Sequence, residues 1–267
     1  MDIVRPEFVP DASLSRSGME TLQRDIAETA VFTDDHGLTA DALAIDGPAG
    51  QSTLSEAGRE TTAGDRPLVA GVDQAFVGDR AVSAVVVLRG REVVERVHAV
   101  EPAEIPYVPG LLSFREGGAI LSALAELDSE PELLFVDGSG RIHYREAGLA
   151  THIGVTVDVP AIGVAKNLLC GRPRESLDRK LPVGTTIPIE ADAEVETARE
   201  GTVIGHGVQT RQYESNTRHI NPLIVSPGHR VDAETAAEMV LATAAGYKLS
   251  EPTRLADGYA DTVKAEV

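Results

Sequence analysis

Apolar residues recur at helical spacing in Met19, Leu22, Ile26 and Ala30, behind the box Ser17-Gly18-Met19-Glu20. They predict an amphipathic helix over 17–30 with Ser17 as its N-cap. From 33 to 66 no period persists, and Asp, Gly, Ser and Thr dominate, which predicts a long, acidic, partly mobile connection. At Leu68 the pattern changes. Leu68–Asp73, Ala81–Leu88 and Glu92–Val100 are β-rich and separated by Gly-Asp-Arg and Arg-Gly-Arg turns, the signature of an antiparallel meander. A helix fits 117–127, with Ile120, Leu121, Leu124 and Leu127 facing inward. Leu133–Val136 reads as a buried strand ending in Asp137 and a glycine turn. Residues 146–157 look helical and 160–166 form a short apolar strand. Two more strands fit 202–209 and 220–225, and Asp232 caps a final helix with Ala236, Met239, Val240 and Ala244 inside.

Meander, helix, strand, helix, strand is the order of an α/β fold of ribonuclease-H-like type. Its mixed sheet joins an antiparallel three-strand meander to parallel strands and is flanked by helices. The expected organisation is an N-terminal helix with its acidic connection over 1–66, the main domain over 67–250, and a C-terminal tail over 251–267.

At 267 residues and 42% hydrophobic, the chain can bury a sizeable core. It has no apolar run of about 18 residues and no apolar stretch behind a basic start, so neither a membrane span nor a secretory leader is expected. Cys170 has no partner for an intrachain disulfide, and a cytoplasmic, monomeric protein is the expectation. Charge changes the picture. Lys+Arg total 24 against 42 Asp+Glu, a net of −18, and only Lys166, Lys180, Lys248 and Lys264 are lysines. So many carboxylates with so few lysines fit a protein kept soluble in molar salt. By charge alone, an acidic protein without a nucleic-acid partner would be the better reading. The chemistry-bearing residues reverse it.

Three acids stand where the pattern calls for apolar or uncharged residues. Asp73 lies inside Val69–Phe76, Asp137 ends Leu133–Val136, and Glu116 sits near a helix start after Pro106-Tyr107-Val108-Pro109-Gly110-Leu111-Leu112-Ser113-Phe114-Arg115. Each alone could be a solvated face or a cap. A carboxylate inside an apolar strand, however, needs a proton or a cation. With the first and fourth strands adjacent at the sheet centre, Asp73 and Asp137 would stand side by side and Glu116 would reach in from the helix. An all-oxygen set of that kind suits Mg²⁺, with Mn²⁺ able to substitute.

Gly-Val-Asp at 71–73, the string over 106–116, Val-Asp-Gly-Ser-Gly at 136–140 and Gly-Leu-Ala-Thr-His-Ile-Gly-Val at 148–155 resemble the endonuclease V family in sequence and order. So do Pro-Ala-Ile-Gly-Val-Ala-Lys at 160–166 and Ser-Pro-Gly-His-Arg at 226–230. The resemblance runs over about 68–247 and, with the acidic composition, points to a haloarchaeal member. It implies that Asp73, Glu116 and Asp137 bind the metal. It also makes Lys166 a catalytic lysine and His229 a histidine held near the metal. Tyr107 becomes an aromatic wedge filling the gap left by an extruded base, with Pro106 and Pro109 stiffening its loop. Gly110, Leu111, Gly138 and His143 join it in lesion recognition, and Gly140 allows close backbone approach. The chain reads His143-Tyr144-Arg145 where the family often has His-Pro-Arg, and Ser139 where a histidine is common. Residues 31–65 have no clear counterpart.

The implied activity is metal-dependent nicking of DNA containing deoxyinosine or another deaminated base. The cut falls at the second phosphodiester bond 3′ to the lesion and leaves 5′-phosphate ends. Two alternatives stay open: an inosine-specific endoribonuclease of the same family, and a non-catalytic lesion-binding protein on the same fold. An intact set of mutually repelling acids argues against the second.

Overall fold

The meander consists of Leu68–Val77 (β1), Arg80–Arg89 (β2) and Glu92–Pro102 (β3), paired antiparallel. The computed structural model describes residues 1–47, 66–103, 105–215 and 217–267. Leu133–Asp137 (β4) and Ala161–Ala165 (β5) continue the sheet in parallel with β1. Arg172–Pro173 (β6), Thr186–Glu190 (β7), Val203–Val208 (β8) and Leu223–His229 (β9) complete it. The order is β3-β2-β1-β4-β5-β9-β8-β7-β6, with β9 antiparallel to β5. This is the mixed, helix-flanked sheet of the ribonuclease-H-like class. β6 and β7 lack a sequence signal because each is short and carries a proline, which a sheet tolerates best near its edge.

Among the described residues there are six α-helices: Arg16–Thr29 (α1), Ala40–Leu43 (α2), Leu112–Ala125 (α3), Leu149–Val157 (α4), Ala233–Ala242 (α5) and Glu251–Glu266 (α6). Of these, α3–α6 pack on the sheet, α1 packs on α4 and α2 on α5. Alternation along the strands sorts the core into two faces. Ala70, Val72, Leu134 and Val136 pack with Ile120, Leu124 and Ile153 of α3 and α4. Val69, Leu133, Phe135 and Ile162 face the other way, with Leu43, Met239 and Val240.

Several expectations change. Ser15 caps α1, its Oγ accepting from Gly18 N–H at 3.2 Å, and Glu20 pairs with Arg16 at 2.9 Å, so the Ser17 box does not form. α3 begins at Leu112, with Gly117-Gly118 inside it. Residues 33–47 are packed: Asp34 accepts from Asp232 N–H (2.9 Å) and from the Thr235 hydroxyl (2.7 Å), and Leu43 enters the core. The rest of the expected acidic connection, 48–65, lies outside the described residues.

The segment 251–267, read as a tail, is helix α6 lying on β1 and β2. Its buried stripe of Pro252, Thr253, Ala256, Ala260 and Val263 is too small and too weakly apolar to stand out in sequence. Contact is possible because β1 presents Gly71, where a Cβ would lie 1.9 Å from the Pro252 carbonyl oxygen. No helix among the described residues is long and apolar enough to cross a membrane.

Candidate active site

Val72 of β1 pairs with Val136 of β4, so Asp73 and Asp137 are the next two positions on adjacent parallel strands. Side chains alternate, and both acids fall on the face opposite Val72 and Val136, toward α6. Docking of Pro252 on Gly71 then sets the register of α6. Two strand residues carry β1 about 6.7 Å from Gly71 to Asp73, and five helical residues carry α6 about 7.5 Å from Pro252 to Asp257. The carboxylates of Asp73, Asp137 and Asp257 consequently lie within 4.8 Å of one another. Asp257 is not among the expected ligands because the small, weakly apolar stripe of α6 does not mark 251–267 as a packed helix. The signals that could have found it were Ser250-Glu251-Pro252 as a helix start and the i, i+4, i+7 series Asp257, Asp261, Lys264 flanking the Ala256/Ala260 stripe.

Burial, reinforced by the charge and hydrogen bond of Asp137 and the charge of Asp257, pushes the Asp73 carboxyl up to about 8. Glu116 enters from α3, on the other side of the sheet. It lines the same 470 Å³ pocket as Asp73, Asp137, Asp257, Asp261 and Lys264 but stays outside the tight three-acid group. Its burial, aided by Asp137 against the opposing Arg115, pushes it up to about 7. Without a cation, then, the cluster retains protons that ordinary carboxylates have lost by neutral pH. An all-oxygen donor set of this density fits a hard divalent ion.

Lys166 follows β5. Its Nζ is 3.1 Å from Asp137 Oδ2 and 3.7 Å from Asp257 Oδ1. Although burial works to lower it, its pKa is held above the ordinary lysine value by Asp137, Asp257 and Asp73. It also borders a second pocket of about 380 Å³ lined by Tyr107, Pro109, Gly110, Leu112, Gly138 and His143, among others. The two pockets share Leu112, Asp137, Gly138 and Lys166.

The remaining expected residues divide. Tyr107 is 66% exposed at the pocket rim, Pro106 is exposed, and Pro109 and Gly110 form the bend between Tyr107 and α3. His143 is buried in the pocket wall. Its Nδ1 accepts Arg145 N–H (3.2 Å), so Nε2 donates to the Gly110 carbonyl (3.0 Å), and burial lowers its pKa to about 4, leaving it neutral. Leu111 does not line the pocket. It turns inward against Met19 and Phe114, and Leu112 takes the wall position instead.

His229 is not near the acids. β9 runs antiparallel to β5, so His229 pairs with Ala161 while Ile224 pairs with Ala165 beside Lys166. Four residues of strand, about 13 Å, separate the two ends. His229 is buried, accepts Val31 N–H at Nδ1 (3.2 Å) and donates from Nε2 to Asp158 Oδ1 (3.1 Å). Burial holds its pKa below the ordinary value despite Asp158, so the contact is a neutral hydrogen bond and not an ion pair.

Residues 52–258 match the family model for Endonuclease V. An Endonuclease V from Haloarcula marismortui is 66% identical over 267 residues, 99% of this chain and 98% of that protein. Among solved structures, Endonuclease V from Streptomyces avermitilis aligns over 95% of each chain with 30% identity and a TM-score of 0.71. That from Ciona intestinalis, in complex with a 24mer DNA containing an inosine followed by a ribo-adenosine, aligns over 94% of this chain and 97% of its own. It does so with 22% identity and a TM-score of 0.67.

Proposed function

The chain belongs to the endonuclease V family, and from that premise we propose that it nicks DNA strands carrying deoxyinosine at the second phosphodiester bond 3′ to the lesion. One observation supports this reading above the others: the pocket behind Tyr107 and the acid pocket share a wall made of Leu112, Asp137, Gly138 and Lys166. A base turned out into the first pocket leads the following nucleotides across the second. The cut then falls near the lesion on its own strand.

Each residue has a part in that arrangement. Tyr107, exposed on a proline-stiffened loop, stacks into the gap left by the extruded base. Gly138 and the 109–112 bend bring main chain against the base, where amide groups can tell the hypoxanthine carbonyl from the adenine amine. Asp73, Asp137 and Asp257, with Glu116 beside them, would hold Mg²⁺ or Mn²⁺. When bound, such an ion supplies a water nucleophile at neutral pH and neutralises charge on the phosphate. Lys166 presents its ammonium at the shared wall, where it can hold a non-bridging phosphate oxygen through the reaction. Product ends of 5′-phosphate and 3′-hydroxyl follow from attack on phosphorus with departure of the 3′ oxygen.

The test is nicking of matched duplexes with and without one deoxyinosine, in Mg²⁺, in Mn²⁺ and in chelator, beside an inosine-containing RNA. We expect a single nick on the lesion strand, dependent on the ion and lost in Asp137→Asn. Equal cutting of undamaged duplex would overturn the substrate. Faster cutting of the RNA would make the protein a ribonuclease of the same family.

A further inference from the structure

The loop that carries Tyr107 closes on Val108-Pro109-Gly110-Leu111, with Leu111 N–H donating to the Val108 carbonyl at 3.0 Å. Proline at the second position and glycine at φ +80° at the third make it a type II turn. The Gly110 carbonyl points into the protein and accepts two hydrogen bonds, from Gln23 Nε2 (2.8 Å) and His143 Nε2 (3.0 Å). Gln23 belongs to α1, lies wholly buried, and is the one polar residue on a helix face otherwise made of Met19 and Ile26.

The amide of Gln23 is held at its other end as well. Its Oε1 accepts from Arg145 Nε (2.8 Å), which fixes which way the amide faces and aims the NH₂ at Gly110. Arg145 in turn pairs with Glu196 (3.0 Å), which a second arginine of α1, Arg24, also holds (2.9 Å). Met19 packs with Leu111 and Phe114 while Ile105, Val108 and Leu22 join the same cluster, so α1 grips the loop through apolar contacts too. All of α1 lies before residue 52, where the match to the family model begins.

We propose that Gln23 is a positioning residue for lesion recognition, acting through the Gly110 carbonyl to hold the Tyr107 loop in its inserting conformation. The inference rests on Tyr107 being the wedge of the proposed function. Gln23 touches no substrate. A buried amide that spends its NH₂ on a turn carbonyl and its oxygen on a buried arginine removes freedom from the turn, and a wedge must be rigid to fill a gap in stacked bases. The N-terminal helix, which also packs on α4, thereby reaches the recognition loop and not the acids.

Two variants test this. Gln23→Met keeps length and packing and loses both hydrogen bonds. Gln23→Glu keeps the Arg145 contact and loses only the donor to Gly110. Steady-state nicking is measured on a deoxyinosine duplex and on a single-stranded deoxyinosine oligonucleotide, where extrusion leaves no gap to fill. For both variants we expect KM on the duplex to rise about tenfold, the effect of one buried hydrogen bond, with kcat within about twofold. On the single strand KM should change by less than about twofold. Tyr107→Ala should show the same split, and Tyr107→Ala combined with Gln23→Met should be no worse than Tyr107→Ala alone. Equal losses on both substrates, an unchanged duplex KM, multiplying losses in the double variant, or failure of both variants to fold would each overturn the assignment. A wild-type protein that does not favour deoxyinosine over undamaged duplex would instead refute the underlying reading, whatever Gln23 does.

Discussion

Lys166 and Asp137 meet across the ends of two adjacent parallel strands, with Nζ 3.1 Å from Oδ2. In the metal-free protein the ammonium offsets part of the negative charge that a cation would otherwise neutralise. In the proposed mechanism it competes with the cation for Asp137 and holds the phosphate during the reaction. We predict that Lys166→Met lowers kcat by at least about 100-fold, in the range of a lost electrostatic contact to the reacting group. Mn²⁺ should bind equally well or more tightly. Calorimetric titration of Mn²⁺ beside single-turnover nicking separates the two effects, and tenfold weaker Mn²⁺ binding would show that Lys166 organises the metal site instead.

The raised carboxyls predict a pH dependence of the metal-free protein. Asp73 at about 8 and Glu116 at about 7 keep protons in the folded state that unfolded Asp and Glu release near 4. Their contribution to stability is therefore complete below about 4 and drains away as pH rises to about 8. His143 and His152, both lowered to about 4, contribute in the opposite sense: their stability is present above about 6.5 and lost below it. The carboxyls thus dominate between about 6.5 and 8. In chelator, melting temperature should fall across that window, and Mn²⁺ or Asp73→Asn should remove most of the fall. A flat metal-free profile from pH 6.5 to 8.5 would contradict the assigned burial and coupling of Asp73.

His229 supplies a contrasting case. Its two hydrogen bonds tie Val31 and Asp158 to the end of β9, and Arg5 and Arg230 pair with the same Asp158. We predict that His229→Ala costs about 1–3 kcal/mol of stability, the penalty for leaving buried partners unpaired, and leaves Mn²⁺ affinity within about twofold. Urea unfolding and Mn²⁺ titration decide between them. Unchanged stability with lost metal affinity would restore the histidine to the active site.

Charge predicts a salt response independent of the site. At −18 the folded chain repels itself, and screening shortens from about 10 Å at 0.1 M salt to about 3 Å at 1 M. Melting temperature without DNA should rise with KCl throughout that range. Binding to deoxyinosine duplex, measured above the salt needed for folding, should fall with a shallow log–log slope. Few phosphates can be neutralised by so acidic a surface, at about −0.9 per phosphate. A melting temperature that falls with KCl would remove the halophilic reading and leave the nuclease assignment in place.

Much of this protein is local, and the local part was legible in its sequence. The meander, the strand ending in Asp137, the Asp232 cap and the rigid Pro106–Gly110 loop each follow from period, turn residues or a cap read over a few positions. A carboxylate inside an apolar strand betrayed the acid pair, because its cost without a cation does not depend on which strand lies beside it. Family resemblance added the role proposed for the loop.

Register and docking were decided only in three dimensions. Asp257 joined the acids because Gly71 let Pro252 rest on β1 and so set how far along the strand α6 extends. His229 left them because β9 runs against β5, which put the histidine at the far end of the sheet. Leu111 and Leu112 exchanged inside for outside at the entry to α3, and Gln23 found Gly110 across 87 residues of chain. A one-residue turn about a helix, or the direction of one strand, moves a side chain by many ångströms while leaving the local pattern unchanged. The free energy that chooses between such arrangements comes from packing against distant segments, and sequence neighbours carry no record of it.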